Sequence, residues 1–332
     1  MPVIRWFKSD SPFIALLLLI YALVVKGYYL AHPFADVSSV AGSGYIYHLL
    51  LDWKPTRELL SHHGQILAFV ILLVDAFLLN ALTGRFRLFQ QTSYLTAFMF
   101  LLLSSFIDVW NYPSASLMAS PLIVWALYLS FSLYSSRSPR GTVFNIGLLV
   151  GIASLFFIPS FLLLLLVWFS LMISRPFRLA EWLLAVLGIL APYYFLGTYF
   201  FISGHWNYAA LFPDLKWSFH AIQFDYRVFS ALGIIALLCL TGLYNLQRSY
   251  MKLLIQTRKH WSIVLFFIPV AFFIPFLEGS PGIDMFLMCL LPMSVLSALP
   301  LYYLKKSWIS NLLSILFIVY ILGVQFNFIR LL

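Results

Sequence analysis

TVFNIGLLVGIASLFFIPSFLLLLLVWFSLMISRPFR, residues 142–178, decides how the rest of the chain is read. It contains no acid, and its only charges are Arg175 and Arg178 at its end. Pro159-Ser160 divides it into two apolar runs, 142–158 and 160–174. Each is somewhat short of the ~20 helical residues that cross a bilayer core. Read as one kinked span, the stretch would exchange the sides of every later loop. Arg248, Lys252, Arg258 and Lys259 would then face away from the other basic loops. Read as a tight hairpin, it keeps them with Arg5, Lys8, Arg85, Arg87, Arg137, Arg140, Arg175, Arg178, Lys305 and Lys306. A hairpin is therefore expected.

Working outward, nine further apolar runs follow the same alternation, at 12–31, 64–83, 92–109, 114–134, 179–202, 228–246, 262–277, 284–304 and 308–329. The expected fold is all-α, a polytopic transmembrane helical bundle of about 11 spans (9–12) forming one integral membrane domain over 1–332. Basic residues collect in every second connection, 14 of the 20 on one side. Lys and Arg are retained in cytoplasmic loops, so the amino terminus is placed in the cytoplasm and the carboxyl terminus across the membrane. The same bias accounts for the net charge of +9, and no basic stripe or aromatic reading surface points to nucleic acid. The chain is 63% apolar and only 9% charged, where soluble domains carry roughly 25% charged residues. Cys239 and Cys289 lie inside apolar runs and offer neither a disulfide framework nor a metal knuckle. The first run follows Arg5 and Lys8 without a small-residue cleavage site and reads as a retained signal anchor.

The acids reverse the pattern. Asp36, Asp52, Glu58, Asp108, Asp214, Asp225, Glu278 and Asp284 fall on the outer side, with His32, His48, His62, His63, His205 and His220. Acids contribute little to the orientation rule, so their excess there calls for another cause. Two outer loops exceed a turn, 32–63 and 203–227. The first contains GSGYIYHLLLDW (42–53), expected as an interfacial helix with Tyr45, Ile46, Leu49, Leu50 and Trp53 on one face. His48 and Asp52, four apart, lie together off that face and form a candidate orienting pair. A carboxylate at a membrane surface can act as general base, hold a metal ion or orient a hydroxyl, and Asp36 is the first acid after span 1. His62 opens the next span beside His63, and the two point about 100° apart, which rules out one shared ion on a regular helix. Lys26, near the outer end of span 1, is expected to snorkel to the surface, where it is a candidate phosphate contact along with Arg227. Glu278 and Asp284 close the tight turn EGSPGID (278–284). Asp75 is the only acid deep within a span; it reads either as functional or as a protonated carboxyl bonded to a neighbouring helix, with Asn80 nearby.

The stretch 121–203, with its basic turn SSRSPRG, GLLVGIASLFFIPSFLLLLL and RPFR, together with LLPMSVLSALPLYYL, resembles the hydrophobic body of C-type glycosyltransferases. As a whole the chain also resembles a family of Bacteroidota inner-membrane proteins of similar size. The first resemblance implies a GT-C layout and transfer from a polyprenyl-phosphate-linked sugar at the outer face of the bacterial inner membrane. Asp36 would be the catalytic acidic residue, the base that activates an acceptor or else a metal ligand, with Asp52 and His48 in support. Lys26, Arg227, His62, Glu278 and Asp284 would contact substrate, and a divalent metal ion is an expected cofactor. The late turn departs from such enzymes, carrying Glu278 and Asp284 where they have an Arg-Tyr pair. Expected partners are membrane lipids and membrane proteins. The alternative is a non-catalytic subunit scaffolding an envelope assembly through the small residues Ser114, Ala115, Ser116, Ala119 and Ser120. A transporter comes third, since one Asp and no clear repeat fall short of a midplane pathway.

Overall fold

The computed structural model describes residues 6–8, 11–32, 42–136, 138–204, 226–278, 282–304 and 307–325. Every apolar run yields a helix. In chain order these are α1 (Pro12–Ala31), the short α2 (Tyr45–Asp52), α3 (Lys54–Arg85), α4 (Leu95–Ser104), α5 (Ala115–Ser132) and α6 (Pro139–Phe156). Then come α7 (Leu164–Ser174), α8 (Leu179–Ser203), α9 (Tyr226–Ser249), α10 (Ile255–Phe273), α11 (Leu287–Tyr303) and α12 (Ser307–Gln325). Among the described residues there is no strand, and eight helices are long and apolar enough to cross a membrane. The shorter apolar helices are Leu95–Ser104, Ile158–Ser174 and Ile315–Gln325.

The chain reverses at Pro159. Gly147 of α6 lies against Ala185 and Gly188 of α8, Gly151 against Ile189, and Ser154 Oγ is 2.8 Å from Tyr193 Oη. The numbers rise together, so α6 and α8 run parallel, and the segment between them must run back. Extended Phe157 ends α6, and a 3₁₀ turn over Ile158–Leu163 leads into the returning α7. The α6–α8 contact is the most extensive in the bundle. Its closeness depends on glycine: a Cβ on Gly147 would stand 2.3 Å from the Ala185 carbonyl oxygen. Small residues let backbones approach in this way where lipid supplies no hydrophobic drive between helices.

Helix α4 is central. All ten of its residues are buried, as expected of a helix apolar on every side. Around it stand α3 and α11, while α8 and α9 present long apolar faces outward, with Tyr194, Phe195 and Phe229 each about 70% exposed. In a bilayer those faces meet hydrocarbon.

Alternate connections gather at two ends. At one, Lys8 donates to the Tyr302 and Leu304 carbonyls (3.1 and 2.9 Å), Tyr94 N–H to Phe7, and Trp261 Nε1 to the Leu88 carbonyl. Arg175 pairs with Glu181 at 3.4 Å, and Lys259 lies over the Tyr134 ring. At the opposite end, Trp110 Nε1 donates to Ile283 O, Ser116 to Asp284 O, and Ser230 Oγ bonds Tyr320. Described basic residues concentrate at the first end, and Asp52, Glu58, Asp108, Glu278 and Asp284 at the second.

The span α3 begins ten residues earlier than expected. Pro55 occupies its first turn, where its missing N–H costs nothing, and no further proline follows, Gly64 being carried within the helix. At 32 residues it is ~48 Å long, so its first turns extend beyond a ~30 Å hydrocarbon core.

Candidate functional site

The end with the acids is built around a helix that stops early. At Ser104 α4 gives way to a bend and a 3₁₀ turn over Asp108–Asn111. The last four carbonyls of a helix lack intrahelical donors, and here each is satisfied. Leu101 O accepts from Ser104 Oγ (3.1 Å) and Ser105 Oγ (2.8 Å), Leu102 O from Ser105 N–H, and Leu103 O from Phe106 N–H. Asn111 Nδ2 serves the last, donating to Ser104 O at 3.0 Å and to Ile107 O at 3.1 Å.

Lys26 completes this arrangement. It is only 2% exposed, and its ammonium donates to Ser104 Oγ at 2.9 Å and to Asn111 Oδ1. The expected snorkelling is thus replaced by inward burial, because the truncated α4 leaves polar atoms within the lysine's reach. A cation there also faces the negative end of the α4 dipole. One turn farther out, Tyr29 donates to Asp108 Oδ1 at 2.7 Å, and Gln325 of α12 donates to Val25 O at 2.7 Å. The Asp108 turn has two sides. In a 3₁₀ helix positions i and i+3 eclipse, so Asp108 and Asn111 face Tyr29 and Lys26, while Ile107 and Trp110 face the other way.

Ile107 and Trp110 wall an apolar cavity of about 500 Å³. Val228, Ala236, Phe276 and Cys289 also line it, so it lies between α9, α11 and the two 3₁₀ turns Ile274–Leu277 and Ile283–Phe286. From Val228 to Ala236 it extends ~12 Å along α9. Half-buried Arg227 directly precedes Val228 at its outer rim.

Beside the cavity, a clasp pins the residues that lead into α2. Gly44 N–H donates to Phe156 O (2.7 Å) and Ile158 N–H to Gly42 O (2.9 Å), with Ser43 paired antiparallel to Phe157. Gly42 has φ +69°, and a Cβ on Gly44 would overlap the Leu155 carbonyl oxygen at 2.2 Å. Gly42 N–H also donates to the Glu278 carboxylate. Tyr47, fully buried beneath, has its phenol pushed up to about 12 by burial and then by the Asp284 carboxylate. Residues 42–44, α2, Glu278 and Asp284 are thereby held together.

Burial raises the Glu278 carboxyl above the ordinary range, against the smaller opposing effect of the Gly42 N–H. The folded state therefore holds this proton more tightly than the unfolded chain. Ionisation as pH rises through and above the unfolded value works against the fold. Glu278→Gln, which can still accept from Gly42, is expected to raise the unfolding midpoint at neutral pH and leave it unchanged below about pH 4. A midpoint unchanged across the whole range would show that the carboxyl carries no such load.

The expected site residues are dispersed. Asp36 lies outside the described residues. His48 and Asp52 are exposed, and His48 Nε2 bonds Ser43 Oγ at 2.8 Å rather than Asp52. His62 is exposed on α3, away from the clasp contacts. Glu278, Asp284 and Arg227 border the clasp or the cavity, and Lys26 lies behind the Asp108 turn. Among the described residues no group of three His, Cys, Asp or Glu is gathered for a metal ion. The small residues Ser114, Ala115, Ser116, Ala119 and Ser120 are buried within the bundle, so they offer no stripe to another protein. Tyr29, Ser104, Asn111 and Tyr47 were not singled out from the sequence; the Ser104-Ser105 pair followed by Asn111-Tyr112-Pro113 was the available signal.

Comparison with curated proteins and with solved structures gives no match. The pattern of one family, a family of unknown function (DUF6427), matches residues 45–332, which takes in the Asp108 turn, the cavity and the Phe156–Ile158 side of the clasp but not Gly42–Gly44. The chain belongs to that family.

Proposed function

We propose that the protein is a GT-C-like membrane transferase that takes a polyprenyl-phosphate-linked sugar at the outer face of a bacterial inner membrane. The observation that carries this reading is the apolar cavity, which extends ~12 Å along α9 and is walled by Ile107, Trp110 and Ile283 near the end where the acids collect. An apolar chain with a polar head fits such a place: hydrocarbon between α9 and α11, phosphate at the rim beside Arg227. With the basic end in the cytoplasm, the eleven apolar segments alternate between the two faces, eight of them as helices long enough to cross, and the carboxyl terminus lies outside. Asp36, within six residues of the clasp, takes the proton of the acceptor hydroxyl as the sugar–phosphate bond breaks and the lipid phosphate leaves. Glu278 and Asp284 orient sugar hydroxyls, with His48 and Asp52 on the approach. A divalent ion, if used, draws on Asp36 together with these acids. Membrane-protein partners are compatible with the apolar outer faces of α8 and α9.

The test uses the purified full chain. Lipid extracted from the wild type is expected to contain polyprenyl phosphate, which Ala236→Trp loses by filling the cavity. In liposomes with undecaprenyl phosphate bearing a labelled hexose, and with water as the surrogate acceptor that releases free hexose, Asp36→Ala is expected to keep the lipid but slow label release about 100-fold. An extract of bulk phospholipid only, with label release no faster than in empty liposomes, would leave the scaffold as the better account.

A further inference from the structure

Asp75 lies in the middle of α3, fully buried. Its Oδ2 contacts Ser120 Oγ of α5, and its Oδ1 has no partner. The same Ser120 Oγ is 2.8 Å from the Leu117 carbonyl oxygen. In a regular helix that carbonyl would accept from the N–H of residue 121. Residue 121 is proline, inside the helix, and has no N–H to give. Ser120 is thus the donor available to a buried carbonyl that would otherwise be unsatisfied, and a hydroxyl has one hydrogen. With that hydrogen committed to Leu117, the contact between Ser120 and Asp75 needs a hydrogen from the other side.

We propose that Asp75 is a proton-binding site, a neutral carboxylic acid that donates to Ser120 and through it to the carbonyl freed by Pro121. The surroundings agree. Helices α4 and α5 carry no Asp, Glu, Lys, Arg or His. Of the other elements packed on α3, α1 carries Lys26, which is engaged with Ser104 and Asn111, and the 108–111 turn carries Asp108, which accepts from Tyr29. His48 and Asp52 of α2 are exposed, and the titratable groups of α11 are Cys289, Tyr302 and Tyr303. No ion pair reaches Asp75 among the described residues. A carboxylate there would have no counter-charge and no donor, an expensive state in the middle of a membrane-spanning bundle. One turn along α5, toward the acid-bearing end, the buried Ser116 hydroxyl donates to the Asp284 backbone carbonyl. The site does not depend on the transferase reading; it fits any activity that takes up or hands on a proton within the bundle.

Infrared spectroscopy of the full chain in lipid, at neutral pH, tests it. The wild type should show the carbonyl stretch of one protonated carboxylic acid that is missing in Asp75→Asn. Asparagine is nearly isosteric and donates to Ser120 in the same direction, so this variant should fold. In Ser120→Ala the acid band should persist and move to higher frequency, because the acid has lost its acceptor. If Asp75→Asn instead removes a carboxylate band, or removes no acid band, the assignment is wrong.

Discussion

Gly188→Val is expected to destabilise the folded bundle by about 3 kcal/mol or more, the upper range for overpacking. A Cβ on Gly188 would stand 2.5 Å from Phe144 O, 2.9 Å from Gly147 Cα and 2.9 Å from Leu148 N. All three are backbone atoms of α6, so no side chain can turn aside, and valine adds two methyls beyond the Cβ. The helices must part, and with them the contact of Ser154 with Tyr193 and the platform on which the clasp sits. Gly233→Ala is the control: it lies in α9 with nothing within 4 Å of its Cβ position. That change should stabilise by about 0.4–1 kcal/mol, since glycine loses more freedom on folding than alanine. Thermal unfolding in detergent separates the two. Equal midpoints for Gly188→Val and wild type would mean that the α6–α8 seam is looser than described.

Lys26→Glu is expected to cost about 3–5 kcal/mol, the loss that follows when a buried charge is left against the wrong partners. The lysine ammonium meets acceptors, Asn111 Oδ1 and Ser104 Oγ, and the carbonyl end of α4. A carboxylate would face the same oxygens and the same dipole with its sign reversed. Lys26→Met keeps the length and removes the donor, leaving Asn111 Oδ1 without its ammonium; about 1–3 kcal/mol is expected. The order wild type, Met, Glu in unfolding midpoint is the result to look for. A glutamate variant as stable as the methionine one would show that water or a cation reaches the position.

The helices themselves were legible because membrane spans announce themselves by length and apolarity, and because loop charge fixes their alternation. Even the reversal at Pro159 followed from the sides on which Arg248 and Lys259 had to lie. The packing was not legible, for a physical reason. In water the apolar stripe of a helix points to the core, but a helix in lipid is apolar on both its buried and its exposed sides. Nothing in PFIALLLLIYALVVKGYYLA tells that Lys26 turns inward, since that depends on α4 stopping at Ser104, some 80 residues later. His48 and Asp52 were correctly placed on one side of a helix. Their pairing was still not formed, because Ser43, held by the clasp, reached His48 first. Pro121 was visible in the sequence, but its link to Asp75 required α3 and α5 to be adjacent.

The parallel seam also has a consequence in time. Gly147 and Gly188 are separated by 41 residues, which a ribosome adds in about 2–8 s at roughly 5–20 residues per second. During that interval the glycine face of α6 has no partner, and its nearest follower, α7, runs the wrong way to fill it. The bundle cannot be assembled as successive hairpins in order of synthesis. Its tightest joint must wait for the third helix of the group.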